Sequence, residues 1–219
     1  MANHEPATES RGRGRPVVPE EELIAKIREA SLSLLLSQGY GAMTMDAVAK
    51  QAGVSKKTLY RFADNREDLA EQIVRGWTDS FVPLFMQDAE NKEDFYQLLE
   101  KNLAIMSHKV LSAEAAGLFC LLSSEFPGRE LLLTRYQAGG IERGRALLAE
   151  WLSRHQNFLS QPDAAQISDL LLSMVMAEPL RQIALKLAPP APDYPIEPRI
   201  RAAVALLKCR QAPADNRCP

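Results

Sequence analysis

Lys56, Lys57, Thr58, Tyr60 and Arg61 are the residues of this 219-residue chain whose types and spacing point most directly to chemistry. Lysine and arginine pair with phosphates or with the acceptor edge of guanine, and hydroxyl side chains bond phosphates or bases. The five alternate with apolar Leu59 and Phe62, so a short helix from Lys56 to Phe62, opened by Ser55, carries them on one polar face. The chemistry implied is non-covalent recognition of duplex DNA. The same charges would suit the solvated face of an ordinary helical hairpin. Spacing favours DNA and leaves the hairpin open.

That helix needs a partner to hold it, and the residues before it supply one. Thr44 can cap a preceding helix, with Asp46 at its positive end. Gly53 closes that helix in a conformation a Cβ resists. Val48, Ala52, Val54, Leu59 and Phe62 fall where a two-helix corner needs apolar contacts, and Ala49 is small at the expected crossing. Residues 44–63 therefore have the pattern of a helix-turn-helix. A first helix from Pro19 to Gln38 buries Leu23, Ile27, Ala30, Leu34 and Leu35 as one stripe and ends at Gly39. Asn65 can cap a later helix running past Leu69, Ile73, Trp77 and Phe81 until Pro83 stops it. Arg66 lies in its first turn, where a phosphate would meet the helix N-terminus.

The block GYGAMTMDAVAKQAGVSKKTLYRFADNREDL resembles the N-terminal domain of TetR/AcrR-type transcriptional regulators. Gly39–Gly41, Thr44, Val48–Ala49, Ala52–Ser55, Thr58–Tyr60 and Phe62 carry the match, which extends from about Pro19 to Trp77. Lys57 departs from the small residue common there, and Arg61-Phe62-Ala63 replaces a stretch that usually contains histidine; both changes alter which bases are read. The polar face of the second helix and its flanks make Thr44, Ser55, Lys56, Lys57, Thr58, Tyr60, Arg61 and Arg66 the expected DNA contacts. The resemblance also implies a homodimer, whose two heads would read a near-palindromic operator.

Composition bounds the alternatives. The chain is 46% hydrophobic and 25% charged with a net charge of -2, so it is no polycation. Basic residues nevertheless outnumber acidic ones between Arg11 and Arg66, which leaves a local basic face. Arg11-Gly-Arg-Gly-Arg-Pro16 reads either as a minor-groove arm, with Arg13 and Arg15 as contacts, or as a solubilising tail. No apolar run is long enough to cross a membrane, and the N-terminus has no signal-peptide core. Cys120, Cys209 and Cys218 have no metal-ligand or close-pair spacing, which predicts a reduced, cytoplasmic protein without metal or cofactor. His4, His108 and His155 are isolated, and no HExxH, phosphate loop or nucleophile elbow occurs, so an enzyme is disfavoured. A protein that only bends DNA would leave the large apolar C-terminal half without a purpose.

The fold class expected is all-α: a three-helix helix-turn-helix DNA-binding domain over 19–79, preceded by an arm over 1–18, then a larger helical ligand-binding and dimerisation domain over 80–210 and a frayed tail over 211–219. Arg129 to Gln156 reads as one long helix with Gly139–Gly140 as a bend or close-packing point. The Ser124–Pro127 break and the Tyr136–Gly140 region look weakly like the AefR-like branch of the same superfamily. Trp77, Phe81, Met106, Phe119, Phe126, Tyr136, Met174 and Met176 are candidates for an adaptable pocket for an apolar or aromatic effector. Such a ligand would release a repressor from DNA by population shift. The stretch 170–187 is apolar nearly all round, and the final helix has a matching stripe. Leu171, Val175, Ile183, Val204 and Leu207 are therefore the expected dimer contacts.

Overall fold

Capping side chains set where most of the helices begin. The structure, a computed structural model, describes residues 19–159 and 163–209; the expected arm with Arg13 and Arg15, and the tail over 211–219, lie outside the described residues. Helix α1 (Glu20–Gln38) follows Pro19, carries Glu20, Glu21 and Glu22 at its positive end, and stops at Gly39 with φ 83°. A 3-10 turn (Tyr40–Ala42) leads to α2 (Met45–Ala52), whose first turn is closed by Thr44 Oγ1 accepting the Ala47 N–H. Gly53 is left-handed at φ 66° and ends α2. Ser55 then accepts the Thr58 N–H and opens α3 (Lys56–Leu59). This helix is shorter than the sequence suggests. The Arg61 and Phe62 N–H groups bond the Thr58 and Leu59 carbonyls, so the chain tightens into a turn beyond Leu59. Helix α4 (Arg66–Asp79), capped by Asn65, ends before Pro83, which sits in a 3-10 turn (Val82–Phe85).

Asn91 caps α5 (Lys92–Val110) and Ser112 caps α6 (Ala113–Leu122). Gly128 then turns the chain into α7 (Arg129–Tyr136), which passes through a π segment (Gln137–Glu142) into α8 (Arg143–Arg154). Helix α9 (Ala164–Leu172) likewise widens into a π segment (Ser173–Ala177) before α10 (Glu178–Ala184). Pro179 has no N–H to offer a carbonyl one turn back, which gives a physical reason for the wide turn at that place. Helix α11 (Glu197–Cys209) is last. Among the described residues the sole β feature is an isolated bridge between Ser112 and Ala191.

Two apolar cores result. One joins Ile27, Val48, Leu59, Leu69 and Ile73 of α1–α4 to Leu118, Leu122 and Leu132 of α6 and α7. The other gathers Phe95, Leu103, Trp151, Leu171, Val175 and Val204. Trp151 lies parallel to Phe95 with centroids 5.1 Å apart and donates its indole N–H to the Gln87 carbonyl at 2.8 Å. His155 is buried beside it. Its Nε2 accepts the Ala89 N–H at 2.8 Å, which assigns Nδ1–H as donor to the Trp151 carbonyl at 2.7 Å. This histidine serves the fold.

The second core corrects the expected dimer contacts. Leu171, Val175, Ile183 and Val204 are buried within the chain itself, and Leu207 packs against the same core. The helices are apolar on a second face because Leu170, Met174 and Ala177, with Ala202, Ala205 and Leu206 of α11, point outward. A charge at Val175 or Val204 would disrupt the fold itself.

Tyr40 ties the first core to the α6–α7 turn. Its ring is 5.5 Å from that of Phe126 and so close to Gly128 that a Cβ there would lie 2.8 Å from Tyr40 Cε1. Its hydroxyl donates to Glu67 at 2.7 Å, and the Arg66 guanidinium stacks 4.4 Å over the ring. Burial, reinforced by the Glu67 bond, pushes the Tyr40 hydroxyl from 10.0 up to about 12. A phenol held neutral in the folded state contributes stability that is complete below its unfolded pKa and is lost as pH rises through its folded one. Thermal melts of the parent and Tyr40→Phe should therefore differ most below pH 10, with the parent more stable, and the difference should shrink between pH 10 and about 12. A difference that stays constant across that window would contradict the assignment.

Candidate nucleic-acid interface and adjoining cavity

The cap at Ser55 aims α3 outward, and its side chains divide into engaged and available groups. Lys56 Nζ reaches back 2.8 Å to Asp46 on α2, which raises its pKa through that hydrogen bond. Ser55 and Thr58 share a 2.8 Å hydroxyl contact, and the Thr44 hydroxyl is occupied as the α2 cap. Lys57 is exposed, Tyr60 is half exposed, and Arg61 lies 3.7 Å from Glu20 with both side chains well solvated. A solvated pair of that kind contributes little, so a phosphate can replace Glu20. Lys57, Tyr60 and Arg61 are thus the outward polar groups of the turn. Arg66 is placed differently from the sequence expectation: its Nε pairs with Glu67 at 3.1 Å and its plane lies on Tyr40, so it is engaged within the fold.

Helix α4 anchors this head. Gln72 Nε2 donates to the Phe62 carbonyl at the end of the recognition turn. On its other side α4 meets the π segment between α7 and α8. A Cβ at Gly140 would lie 2.7 Å from Val74 Cγ1, so the missing side chain is what lets the two elements approach. Thr78 Oγ1 donates to the Gly139 carbonyl at 2.8 Å, Arg135 pairs with Asp68 at 2.9 Å and with Glu71, and Arg143 pairs with Asp79 at 2.5 Å. The sequence marks the glycine pair as a bend or close-packing point. Nothing in its periodicity marks Thr78 or Arg135, whose partners lie more than sixty residues away.

Between α4 and this segment lies an apolar cavity of about 230 Å³. Of the sequence candidates, Trp77, Phe81, Met106, Phe119, Tyr136 and Met176 line it. Phe126 and Met174 do not. Phe126 packs on Tyr40, and Met174 lies on the outer face of its helix with its carbonyl accepting Arg199. Burial pushes the Tyr136 hydroxyl up. Thr78, Lys109, Arg145 and Ser173 also reach the lining; they read in sequence as ordinary polar-face residues. No cluster of metal-ligating side chains occurs among the described residues. Cys120 is exposed and bonds the Ala184 carbonyl at 3.3 Å; the Cys209 side chain and Cys218 lie outside the described residues.

Comparison with known proteins agrees with this geometry. Residues 27–73 match the family described as bacterial regulatory proteins, tetR family. The HTH-type transcriptional regulator YhgD of Bacillus subtilis is 47% identical over 47 residues, which cover 22% of this chain and 25% of that protein. IcaR, the negative regulator of the biofilm operon icaADBC in Staphylococcus epidermidis, is 25% identical over 79 residues, covering 35% of this chain and 43% of that protein. The matched stretches thus span less than half the length of these relatives. Among solved structures, the flavonoid-responsive regulator FrrA superposes with a TM-score of 0.64 at 23% identity, covering 87% of this chain and 97% of that one. The chain is thus similar to the tetR family of bacterial regulatory proteins over residues 27–73, and it shares its all-helical fold with FrrA along most of its length.

Proposed function

We propose that this chain is a sequence-specific, DNA-binding transcriptional regulator rather than an enzyme. It works as a homodimer in the cytoplasm and most resembles a repressor that leaves its operator when a small apolar or aromatic ligand binds. The observation that carries the reading is the double use of α4. Leu69, Ala70, Ile73 and Val74 belong to the core of the DNA-binding head, while Val74, Trp77 and Thr78 line the cavity. A ligand that reshapes the cavity therefore acts on the helix that carries the head, and it shifts the population towards conformers whose heads are wrongly spaced. Among the described residues no helix is long and apolar enough to cross a membrane.

Lys57, Thr58, Tyr60 and Arg61 are assigned to bases and phosphates, with Thr44, Ser55 and Lys56 on the backbone. Arg66 steadies the first turn of α4 from its place on Tyr40. The arm over 1–18, with Arg13 and Arg15, is assigned to flanking minor groove. One short recognition helix reads few base pairs, so two heads about 34–36 Å apart on a near-palindrome are required. The dimer is assigned to the outward face made by Leu170, Met174, Ala177, Ala202, Ala205 and Leu206.

Two outcomes test this. The triple variant Lys57→Ala, Tyr60→Ala, Arg61→Ala should lose footprinting on operator DNA selected by the parent, with each base-reading side chain worth about 1–3 kcal/mol; a footprint like the parent's would remove the assignment. In sedimentation equilibrium at micromolar concentration the parent should be a dimer, and Met174→Glu with Leu206→Glu should be a folded monomer without operator affinity. A parent that is monomeric yet binds its operator would overturn both the dimer and the release mechanism.

A further inference from the structure

We propose that the cavity takes a single-ring aromatic carboxylate, with its ring between Trp77, Phe81, Phe119 and Tyr136 and its carboxylate against Lys109. This rests on reading the cavity as the effector site and names the ligand's class.

Size sets the ring. A void of about 230 Å³ is somewhat larger than the ~150 Å³ apolar cavity that accepts benzene, so it has room for an aromatic ring and a short substituent. The aromatic walls suit a flat face.

The charges of the lining set the sign. Lys109 and Arg145 reach the cavity, and no aspartate or glutamate does. Arg145 lies exposed and is neutralised by Asp169 at 2.8 Å. Lys109 is different. It is half-buried with Nζ 5.0 Å from the Trp77 ring centroid, and none of the ion pairs among the described residues uses it. The acid on which it acts is Glu114, whose carboxyl is lowered first by backbone hydrogen bonding and least by Lys109. A cation–π contact thus holds an ammonium at the wall of an apolar void with no carboxylate among the described residues within ion-pairing distance. An ionised acid entering that void unpaired would meet a severe desolvation cost; paired with Lys109 it gains a charge-assisted hydrogen bond. An amine would meet like charge. The Tyr136 hydroxyl also lines the cavity, is held neutral by burial, and has no hydrogen-bond partner among the described residues, so it is a second donor.

The test uses the full chain and three probes of similar size: trans-cinnamate, its neutral amide cinnamamide, and neutral 2-naphthol. Binding is read by titration calorimetry and by Trp77 fluorescence. In the parent, cinnamate should bind at least tenfold tighter than cinnamamide. Lys109→Met should abolish that preference by weakening cinnamate alone, and Lys109→Arg should keep it. Equal binding of acid and amide in the parent, or a preference that survives in Lys109→Met, would overturn the assignment. If cinnamamide or 2-naphthol binds and releases operator DNA while cinnamate does not, the acid is wrong and the effector cavity stands. If none of the three binds, both readings fall.

Discussion

The structure depends on one helix serving both a core and a cavity. Residues 66–79 must bury Leu69, Ala70 and Ile73 against the helix-turn-helix and present Trp77 and Thr78 to the cavity. Both faces cannot be held by apolar contact alone, because a void adjoins one of them. The polar seam compensates. Thr78 bonds the Gly139 carbonyl inside the interface, and Arg135 and Arg143 pair with Asp68, Glu71 and Asp79 along its length. The buried Thr78 bond has directional geometry that sliding would break. The half-buried Arg135 pairs fix the register, and the more solvated Arg143–Asp79 pair adds little stability.

That arrangement also explains the glycine pair. A side chain at Gly140 would push against Val74, and the Gly139 carbonyl beside it in the π segment accepts Thr78. The same segment contributes Gly140, Ile141 and Gly144 to the cavity lining. A ligand seated there touches both partners of the seam. On the proposed reading, a sub-ångström adjustment at such a contact is carried by α4 to the recognition turn, which Gln72 holds to α4 at the Phe62 carbonyl.

What could be read from the sequence follows the range of the interactions. Thr44, Gly53, Ser55 and Asn65 act on neighbours within a few residues, and their caps are where their spacing puts them. Aromatic cavity residues such as Trp77, Phe119 and Tyr136 were legible as a class, yet Phe126 and Met174 belong to the same class and point elsewhere. Composition cannot tell which wall an aromatic ring faces. The assignment of Val175 and Val204 to a dimer failed for a related reason. A helix apolar on two faces does not say which face its own chain takes, and here the β-branched side chains went inward while Leu170 and Met174 were left outside. Arg66 reads as a phosphate ligand only until Tyr40, twenty-six residues earlier, is seen beneath its guanidinium. Lys109 shows no sign at all in a periodic reading, since its significance lies in the void beside it.

The central claim is that cavity and recognition turn are coupled through α4 and its seam. Linkage makes this directly measurable: if a ligand weakens operator binding by some factor, operator DNA must weaken the ligand by the same factor. The measurement is the affinity of a cavity ligand for free and for operator-bound dimer, in the parent and in Thr78→Val, which removes the bond to Gly139 and keeps the side chain's shape. The account expects weaker ligand binding to the operator complex in the parent and a ratio moved towards one in Thr78→Val, with both proteins folded and dimeric. A parent that binds the ligand equally well with and without DNA would contradict it.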